Sequence, residues 1–224
     1  MITVLRSEWS RSTETRRHKV QRVAWLVALV LISACTPPRL IPTRAPTDAE
    51  IRVLEQAVKP LLEELDPATR PARRDCPMGL AIVQSPTINA VAHLGDRAGE
   101  CSDFAIGVTE GMLRRLSLDM LRAILAHELG HIQLGHLQAR RERGQIAPIF
   151  RPLTVAFDRR QEAEADRFAV DLLRRIEPRH PGACVALVYV FALLAEQPLG
   201  SAWLASHPSP DGRAEATLAR CNGG

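Results

Sequence analysis

Aromatic residues are scarce in this chain of 224 residues, which has three Trp, one Tyr and five Phe. Proteins that bind single-stranded nucleic acid commonly stack bases on aromatic side chains, so this scarcity argues against that role. No Cys-x₂-Cys pair is present, which argues against a zinc site built from cysteines. No apolar run reaches the ~20 residues that a membrane-spanning helix needs. The length suits one catalytic domain.

The net charge of +4 is confined to the N-terminal segment. Residues 1–34 contain six basic and two acidic side chains, and the rest of the chain has 23 of each. The basic pI of about 9.1 therefore reflects this segment and does not indicate a nucleic-acid-binding surface. We expect no nucleic-acid partner.

The N-terminal segment has the organisation of a bacterial secretory signal. A basic patch at residues 16–22 precedes the apolar run Val23–Ile32, which is too short to span a bilayer comfortably. The run ends in Ile-Ser-Ala-Cys, which resembles the lipobox of bacterial lipoproteins. We therefore expect residues 1–34 to be removed and Cys35 to carry lipid chains that attach the protein to a membrane. An uncleaved anchor helix is the alternative, and Thr36 favours the outer membrane over the inner one.

The remainder divides into a tether and one domain. Residues 35–46 contain four prolines and no apolar periodicity, which predicts an extended lipidated tether before a domain at 47–224. A capping box at Thr47 predicts the first helix of that domain. Apolar periodicity and turn residues predict three short strands and three further helices. The strands are expected at 80–84, 87–92 and 104–109, and the helices at about 121–137, 158–176 and 183–197.

The helical stretch Leu121–Leu137 contains the sequence His-Glu-Leu-Gly-His, which begins at His127. Residues four apart share a helix face, so the imidazoles of His127 and His131 can bind one metal ion. Glu128 lies beside that ion and can take a proton from a bound water. Surface histidines with a solvated glutamate are the alternative, but an apolar run leads directly into the motif, and burying unpaired polar groups is costly. The pattern predicts a zinc site.

A catalytic zinc has three protein ligands and one open position. His136 is expected about 140° around the helix from His131, facing away from the metal, and so is interpreted as structural. Glu162 and Asp166 share one face of the helix predicted at 158–176. Glu162 is therefore the candidate third ligand, and Asp166 is a candidate to hold the far nitrogen of a ligand histidine. An ordinary solvated acidic face is the alternative for both.

The segments HELGHIQLGH and EAEAD together resemble a zinc peptidase family. This family contains the CAAX prenyl proteases, the HtpX-type heat-shock proteases and the periplasmic BepA-type proteases. Further resemblances follow in order along the chain: Asn89–Ala92 is similar to the N-A-x-A strand of the family, Ile106–Leu113 to its strand-to-helix segment, and His207 with Arg213 to its late S-H-P…R element. The resemblance covers residues 50–220. Unlike the membrane-embedded members, this chain shows no transmembrane helices around the domain.

The resemblance implies a zincin-like α+β metallopeptidase fold, mostly helical with a small sheet beside the active-site helix. It implies that one Zn²⁺ per chain is bound by His127, His131 and Glu162. Glu128 would accept a proton from the zinc-bound water and pass it to the leaving amine.

The resemblance also implies substrate contacts. The backbone groups of Asn89, Ala90, Val91 and Ala92 would bind an extended peptide as an added strand. His207 would steady the oxyanion or occupy the open zinc position in a latent state, with an ordinary loop histidine as the alternative. Arg213 would anchor the His207 loop through a carboxylate.

Four cysteines remain once Cys35 is assigned to lipidation. An even number in an oxidising compartment indicates disulfides. Three pairings are open for Cys76, Cys101, Cys184 and Cys221. Proximity in sequence favours Cys76–Cys101 and Cys184–Cys221.

These expectations describe a zinc endopeptidase of misfolded or misassembled cell-envelope proteins. It would be lipid-anchored and would face the periplasm, with protein substrates and envelope assembly machinery as candidate partners. The alternative is a periplasmic chaperone or assembly factor that uses the same cleft with little or no turnover. The intact Glu128 argues against this alternative, because a protein that only binds does not need that carboxylate.

Overall fold

The computed structural model describes residues 43–66, 79–94, 104–142, 158–196, 207 and 212–223. All of them belong to one compact unit, Ile41–Gly224. They form a mostly helical structure with a four-stranded sheet, which confirms the α+β expectation. The predicted signal segment and the cysteines Cys35, Cys76 and Cys101 lie outside the described residues.

The four strands lie in the N-terminal half of the chain, and all the described helices but one follow the last strand. The strands are β1 (Thr43–Arg44), β2 (Gly79–Val83), β3 (Ala90–Leu94) and β4 (Phe104–Thr109). The helices are α1 (Asp48–Glu63), α2 (Glu110–Arg115), α3 (Leu118–Gln133), α4 (His136–Glu142), α5 (Arg159–Ile176), α6 (Ala183–Ala195) and α7 (Arg213–Cys221).

Strand β3 lies at one end of the sheet, whose order is β1-β2-β4-β3. It pairs antiparallel with β4, while β2 pairs parallel with β4 on the other side. The Thr109 N–H donates to the Asn89 carbonyl at 3.0 Å. Because hydrogen-bonding direction alternates along an antiparallel pair, Asn89 and Val91 face β4, whereas the backbone groups of Ala90 and Ala92 point away from it. The outer edge of β3 is therefore formed by these two alanines.

The end of the predicted tether is fixed to the sheet. Thr43 and Arg44 pair antiparallel with β2, although the sequence placed them in an unpaired extended segment. Arg44 donates to both oxygens of Glu50, at 2.7 and 2.8 Å, and to Glu110 at 2.9 Å. These hydrogen bonds from Arg44 lower the pKa of Glu50 to about 2. A two-residue strand has no periodicity of its own, so the sequence pattern did not reveal it.

Helix α1 begins as predicted. The Thr47 hydroxyl accepts from the Glu50 N–H, and the Glu50 carboxylate accepts from the Thr47 N–H, so the capping box is confirmed. One face of the helix is buried over most of the apolar pattern, although Ile51 in its first turn is 36% exposed. The buried residues are Leu54, Ala57, Val58 and Leu61.

Helix α3 lies at the centre of the domain, where it packs against α1, α5, α6 and β3. Every residue from Leu121 to Ile132 is buried. The helix ends at Gln133, and Gly135 then adopts a φ of +70°, which ends the helical path before α4 begins. The prediction of one continuous helix to Leu137 was therefore wrong, because the glycine redirects the chain.

Helices α3 and α5 approach each other closely through small residues. A Cβ placed on Gly130 would lie 3.0 Å from both the Cα and the carbonyl oxygen of Ala165. Helix α5 starts at the capping box formed by Asp158 and Gln161, as the pattern predicted. The close approach brings the first turn of α5 beside the histidines of α3.

Helices α6 and α7 pack against each other. The predicted buried helix is present as α6, and a disulfide joins Cys184 on α6 to Cys221 on α7. This is the second of the two pairings that sequence proximity favours. Helix α7 was not predicted, because its polar sequence has only a short amphipathic pattern. Among the residues that the structure describes, no helix has the length and apolar character needed to cross a membrane.

Candidate metal centre

The two histidines of α3 direct their ring nitrogens at the same point. Nε2 of His127 and Nε2 of His131 are 3.1 Å apart, and both side chains are fully buried. The four-residue spacing accounts for this arrangement, since it places both residues on one face of α3.

Helix α5 supplies a carboxylate to the same point. The Glu162 oxygens lie 3.4 Å from Nε2 of His127 and 3.4 Å from Nε2 of His131. The Glu162 side chain is only 3% exposed, so the alternative of a solvated acidic face is wrong for this residue.

His207 completes a group of four. Its Nδ1 is 3.0 Å from Oε1 of Glu162 and 3.4 Å from Nε2 of His127. One donor atom from each of His127, His131, Glu162 and His207 lies within 4.8 Å of the other three. All four residues are buried.

The donor atoms suit a metal ion in their spacing and in their chemistry. Ligands about 2.0–2.1 Å from a tetrahedral zinc are roughly 3.3 Å apart. Most of the separations above match that value. Imidazole nitrogens combined with one carboxylate form a donor set typical of catalytic zinc. The cluster is therefore compatible with a bound metal.

Glu128 lies beside the cluster and is fully buried. Its Oε2 accepts a hydrogen bond from the Ala92 N–H of β3 at 2.7 Å. Its Oε1 lies 3.4 Å from Nε2 of His207. The edge of the sheet thus fixes the carboxylate next to the candidate metal position.

Asp166 and Arg213 surround the cluster on the α5 side. Asp166 Oδ1 lies 2.9 Å from Nδ1 of His127, at the ring nitrogen remote from the cluster. Arg213 forms a two-pronged contact with Asp166, at 2.8 and 2.7 Å, and its Nη1 lies 3.1 Å from Glu162. The guanidinium also stacks 4.2 Å from the centre of the Phe191 ring. The carboxylates that Arg213 contacts are therefore those of Asp166 and Glu162.

The electrostatics favour positive charge at this point. Burial alone would raise the pKa of Glu162, but the surrounding imidazoles lower it below its usual value overall. Burial likewise opposes the ionisation of Asp166, and His127 with Arg213 still lowers its pKa. Burial would lower the pKa of His127, yet Asp166 and Glu162 raise it to about 9. The negative charge of Glu162 and Asp166 stabilises a proton on His127, and it would stabilise a metal cation at the same cluster for the same reason.

His136 lies on α4 and not on the motif helix, so the predicted angle of about 140° does not apply. Its Nδ1 is 3.0 Å from Nδ1 of His131, and its Nε2 is 3.1 Å from Oε2 of Glu164. Burial lowers the pKa of both His131 and His136. This chain of contacts was not predicted from the sequence, although the glycine directly before His136 is a signal for a helix end.

The structure places the remaining sequence-predicted residues as follows. Asn89, Ala90, Val91 and Ala92 lie on or next to β3, which borders the centre through Glu128. Cys184 and Cys221 are bonded to each other and join α6 to α7. Cys35, Cys76 and Cys101 fall outside the described residues, so their predicted roles stay predictions.

An α+β domain with a buried histidine–carboxylate cluster beside a fixed glutamate has the architecture of a zincin-like metallopeptidase. Residues 52–156 and 141–220 match the model of Peptidase family M48, so the chain belongs to that family. A segment of 36 residues is 50% identical to the protease HtpX of Hahella chejuensis. That segment is 16% of this chain and spans only 12% of the relative.

Proposed function

We propose that this protein is a zinc-dependent endopeptidase. The observation that carries the proposal is the convergence of His127, His131 and Glu162 on one point, with Glu128 directly beside it. Membership of a peptidase family supports the same conclusion.

The donor set would hold zinc through His127, His131 and Glu162. A zinc ion there would lower the pKa of a water molecule toward neutrality and polarise the carbonyl of the scissile peptide. Glu128 then accepts a proton from the attacking water and returns it to the leaving amine. The Ala92 N–H holds one oxygen of Glu128 while the other faces the cluster.

Strand β3 supplies the substrate contacts. The outward N–H and C=O of Ala90 and the C=O of Ala92 can hydrogen-bond to an extended peptide that adds to the sheet as a further strand, while the Ala92 N–H donates to Glu128. The peptide then passes next to Glu128, because Ala92 also contacts that carboxylate. This arrangement supports the predicted substrate-binding role for Ala90 and Ala92, whereas the backbone groups of Asn89 and Val91 face β4 and are not free for it.

His207 lies where it would block the candidate metal centre. Its Nδ1 takes the place of a fourth donor, and its Nε2 lies near Glu128. These contacts favour the latent-state role over an oxyanion role, since the position that water needs is occupied by an imidazole. His207 must withdraw before a peptide can be cleaved.

The cellular setting is part of the same proposal. The lipobox-like sequence at Cys35 and the disulfide Cys184–Cys221 suit a lipoprotein in an oxidising compartment, facing the periplasm and anchored to the outer membrane. Misfolded or misassembled envelope proteins are then the substrates. No contact among the described residues specifically favours a chaperone without turnover.

Replacing Glu128 by glutamine tests the proposal. We expect the Glu128→Gln protein to keep its metal, because no ligand is changed, and to cleave an unfolded protein about 10²–10⁴-fold more slowly. Metal content measured by elemental mass spectrometry and cleavage followed on gels provide the two readouts. Glu55→Gln, on an exposed position of α1, is the matched control. Wild-type cleavage by Glu128→Gln would contradict the mechanism.

The same variant tests the substrate class. Expressed in its host, the inactive protein should retain partly unfolded envelope proteins, which mass spectrometry identifies. Enrichment of cytoplasmic proteins alone would contradict the envelope assignment.

A further inference from the structure

We propose that His136 and Glu164 are positioning residues that hold the imidazole of His131 in its metal-binding orientation and tautomer. This inference rests on the proposed metal site and extends it beyond the ligands themselves. It is carried by two contacts, His131 Nδ1 to His136 Nδ1 at 3.0 Å and His136 Nε2 to Glu164 Oε2 at 3.1 Å.

The direction of the hydrogen bonds follows from the metal site. A histidine that binds metal through Nε2 must carry its proton on Nδ1. The Nδ1–H of His131 therefore donates to the Nδ1 lone pair of His136. His136 then carries its own proton on Nε2, from which it donates to Glu164. Each neutral ring has one donor and one acceptor, and the chain ends on a carboxylate that can only accept.

The break between α3 and α4 makes this relay possible. On a continuous helix, His136 would face away from the side of α3 that carries His131. The φ of +70° at Gly135 turns the chain, and α4 then starts at His136 itself. His136 is only 5% exposed, whereas Glu164 is about one-third exposed and links the pair to the surface.

Helix α5 consequently holds the centre through three carboxylates at alternate positions. Glu162 belongs to the ligand cluster, Asp166 contacts His127 directly, and Glu164 reaches His131 through His136. Both ligand histidines are thus oriented from the same helix, one by a direct contact and one by an inserted imidazole. Arg160 lies 3.8 Å from Glu164 but is largely exposed, so it contributes little to this arrangement.

The test measures metal affinity rather than activity. Outer partners of ligand histidines typically contribute 10–100-fold to metal affinity. We therefore expect His136→Ala to weaken Zn²⁺ binding about 10–100-fold in competition with a chromogenic chelator. Glu164→Ala should also weaken Zn²⁺ binding. Glu164→Gln should weaken it less, because the amide oxygen can still accept from His136. The double variant should be no weaker than His136→Ala alone, since both changes break one chain.

A spectroscopic readout separates positioning from general stability. Co²⁺ bound to the wild type should give a visible spectrum that changes shape in His136→Ala and is closer to wild type in His136→Asn, whose side-chain oxygen can accept from His131. His180→Ala, which removes a histidine at the end of α5, is the control and should change neither affinity nor spectrum.

The outcomes distinguish this inference from the proposed function. Affinity within twofold of wild type in a folded His136→Ala protein, with an unchanged Co²⁺ spectrum, would overturn the relay and leave the metal site intact. A wild-type protein that binds no metal would overturn the proposed function itself. If His136→Ala does not fold, the Zn²⁺ affinities of Glu164→Ala and Glu164→Gln provide the test. Wild-type affinity in both variants would refute the relay.

Discussion

At the scale of single residues, Arg213 is notable because it contacts two carboxylates of the metal centre without being a candidate ligand itself. It contacts Asp166 twice and Glu162 once, and its side chain is only 9% exposed. Two buried carboxylates without that guanidinium would be left close together and poorly solvated. Arg213 therefore stabilises the site in the metal-free protein. Burial alone would lower the pKa of Arg213, but the neighbouring Asp166 raises it above its usual value.

Replacing Arg213 should reveal this role in the metal-free protein. We expect Arg213→Ala to lower the free energy of unfolding by about 3 kcal/mol, as for other buried ion pairs that lose one partner. Arg213→Lys should lose less, since it keeps the charge but not the two-pronged geometry. Urea unfolding in the presence of a chelator measures both. Arg220→Lys, on an exposed position of α7, is the matched control, and an equal loss there would contradict the argument.

The residues that could be predicted lie in the helical motif or share a helix face with a second carboxylate, although that second pattern also fits an ordinary solvated acidic face. His127, Glu128 and His131 follow from the helical repeat, and Glu162 follows from the face it shares with Asp166. The structure brings all of them to one point, while their chemical roles stay predictions. His136 could not be placed, because its position depends on the φ of one glycine and not on a repeat.

At the scale of secondary-structure elements, the spacing between α3 and α5 decides whether Glu162 reaches the histidines. Gly130 of α3 faces the backbone of Ala165, and neither residue has a side chain that could keep the helices apart. The backbone of Ala165 cannot rotate away as a flexible side chain would. A Cβ added at residue 130 would therefore require the backbones of α3 and α5 to separate by a few tenths of an ångström.

The variant Gly130→Ala tests this spacing. Overpacking typically costs about 1–3 kcal/mol, and the higher helix propensity of alanine offsets about 1 kcal/mol of it. We expect a modest loss of stability but a clear loss of metal affinity, because Glu162 moves with α5. Thermal unfolding and chelator competition measure the two effects. Gly107→Ala on β4 is the control, since its Cβ would meet only ordinary contacts of 3.4 Å or more; the same effect in both variants would refute the explanation.

The elements that could be predicted are those with an apolar pattern bounded by turn or capping residues. They are the helices α1, α3, α5 and α6 and the strands β2 and β4, while β3 begins at Ala90, three residues later than predicted. Strand β1 and helix α7 escaped prediction for a physical reason. Each is stabilised mainly by distant partners, β1 by pairing with β2 and α7 by its disulfide to α6. Local sequence carries little information about such tertiary contacts.

At the scale of the whole molecule, the disulfide Cys184–Cys221 closes a segment of 37 residues that includes His207 and Arg213. Both of these residues contact the α5 carboxylates from beyond α6. The covalent link therefore restricts the part of the chain that delivers them to the centre.

Removing this link should reduce stability and loosen the centre together. We expect the double variant Cys184→Ala/Cys221→Ala to lose about 4 kcal/mol of unfolding free energy, the value that the loop-closure relation gives for this sequence separation. Urea unfolding measures it. Substitution is preferable to a reductant, which would also act on any bond between Cys76 and Cys101. Unaltered stability with an intact fold would show that the bond does not restrain this segment.

The position of β3 at the end of the sheet has a consequence for selectivity. In the proposed mode, a peptide laid along Ala90–Ala92 would be bound through its peptide groups, which every sequence possesses, and the Ala92 N–H is already donated to Glu128. In a folded protein those peptide groups are already hydrogen-bonded within its own secondary structure and are not available to β3. Substrate selection would then depend on whether a segment of the substrate is locally unfolded and extended, far more than on its amino-acid sequence.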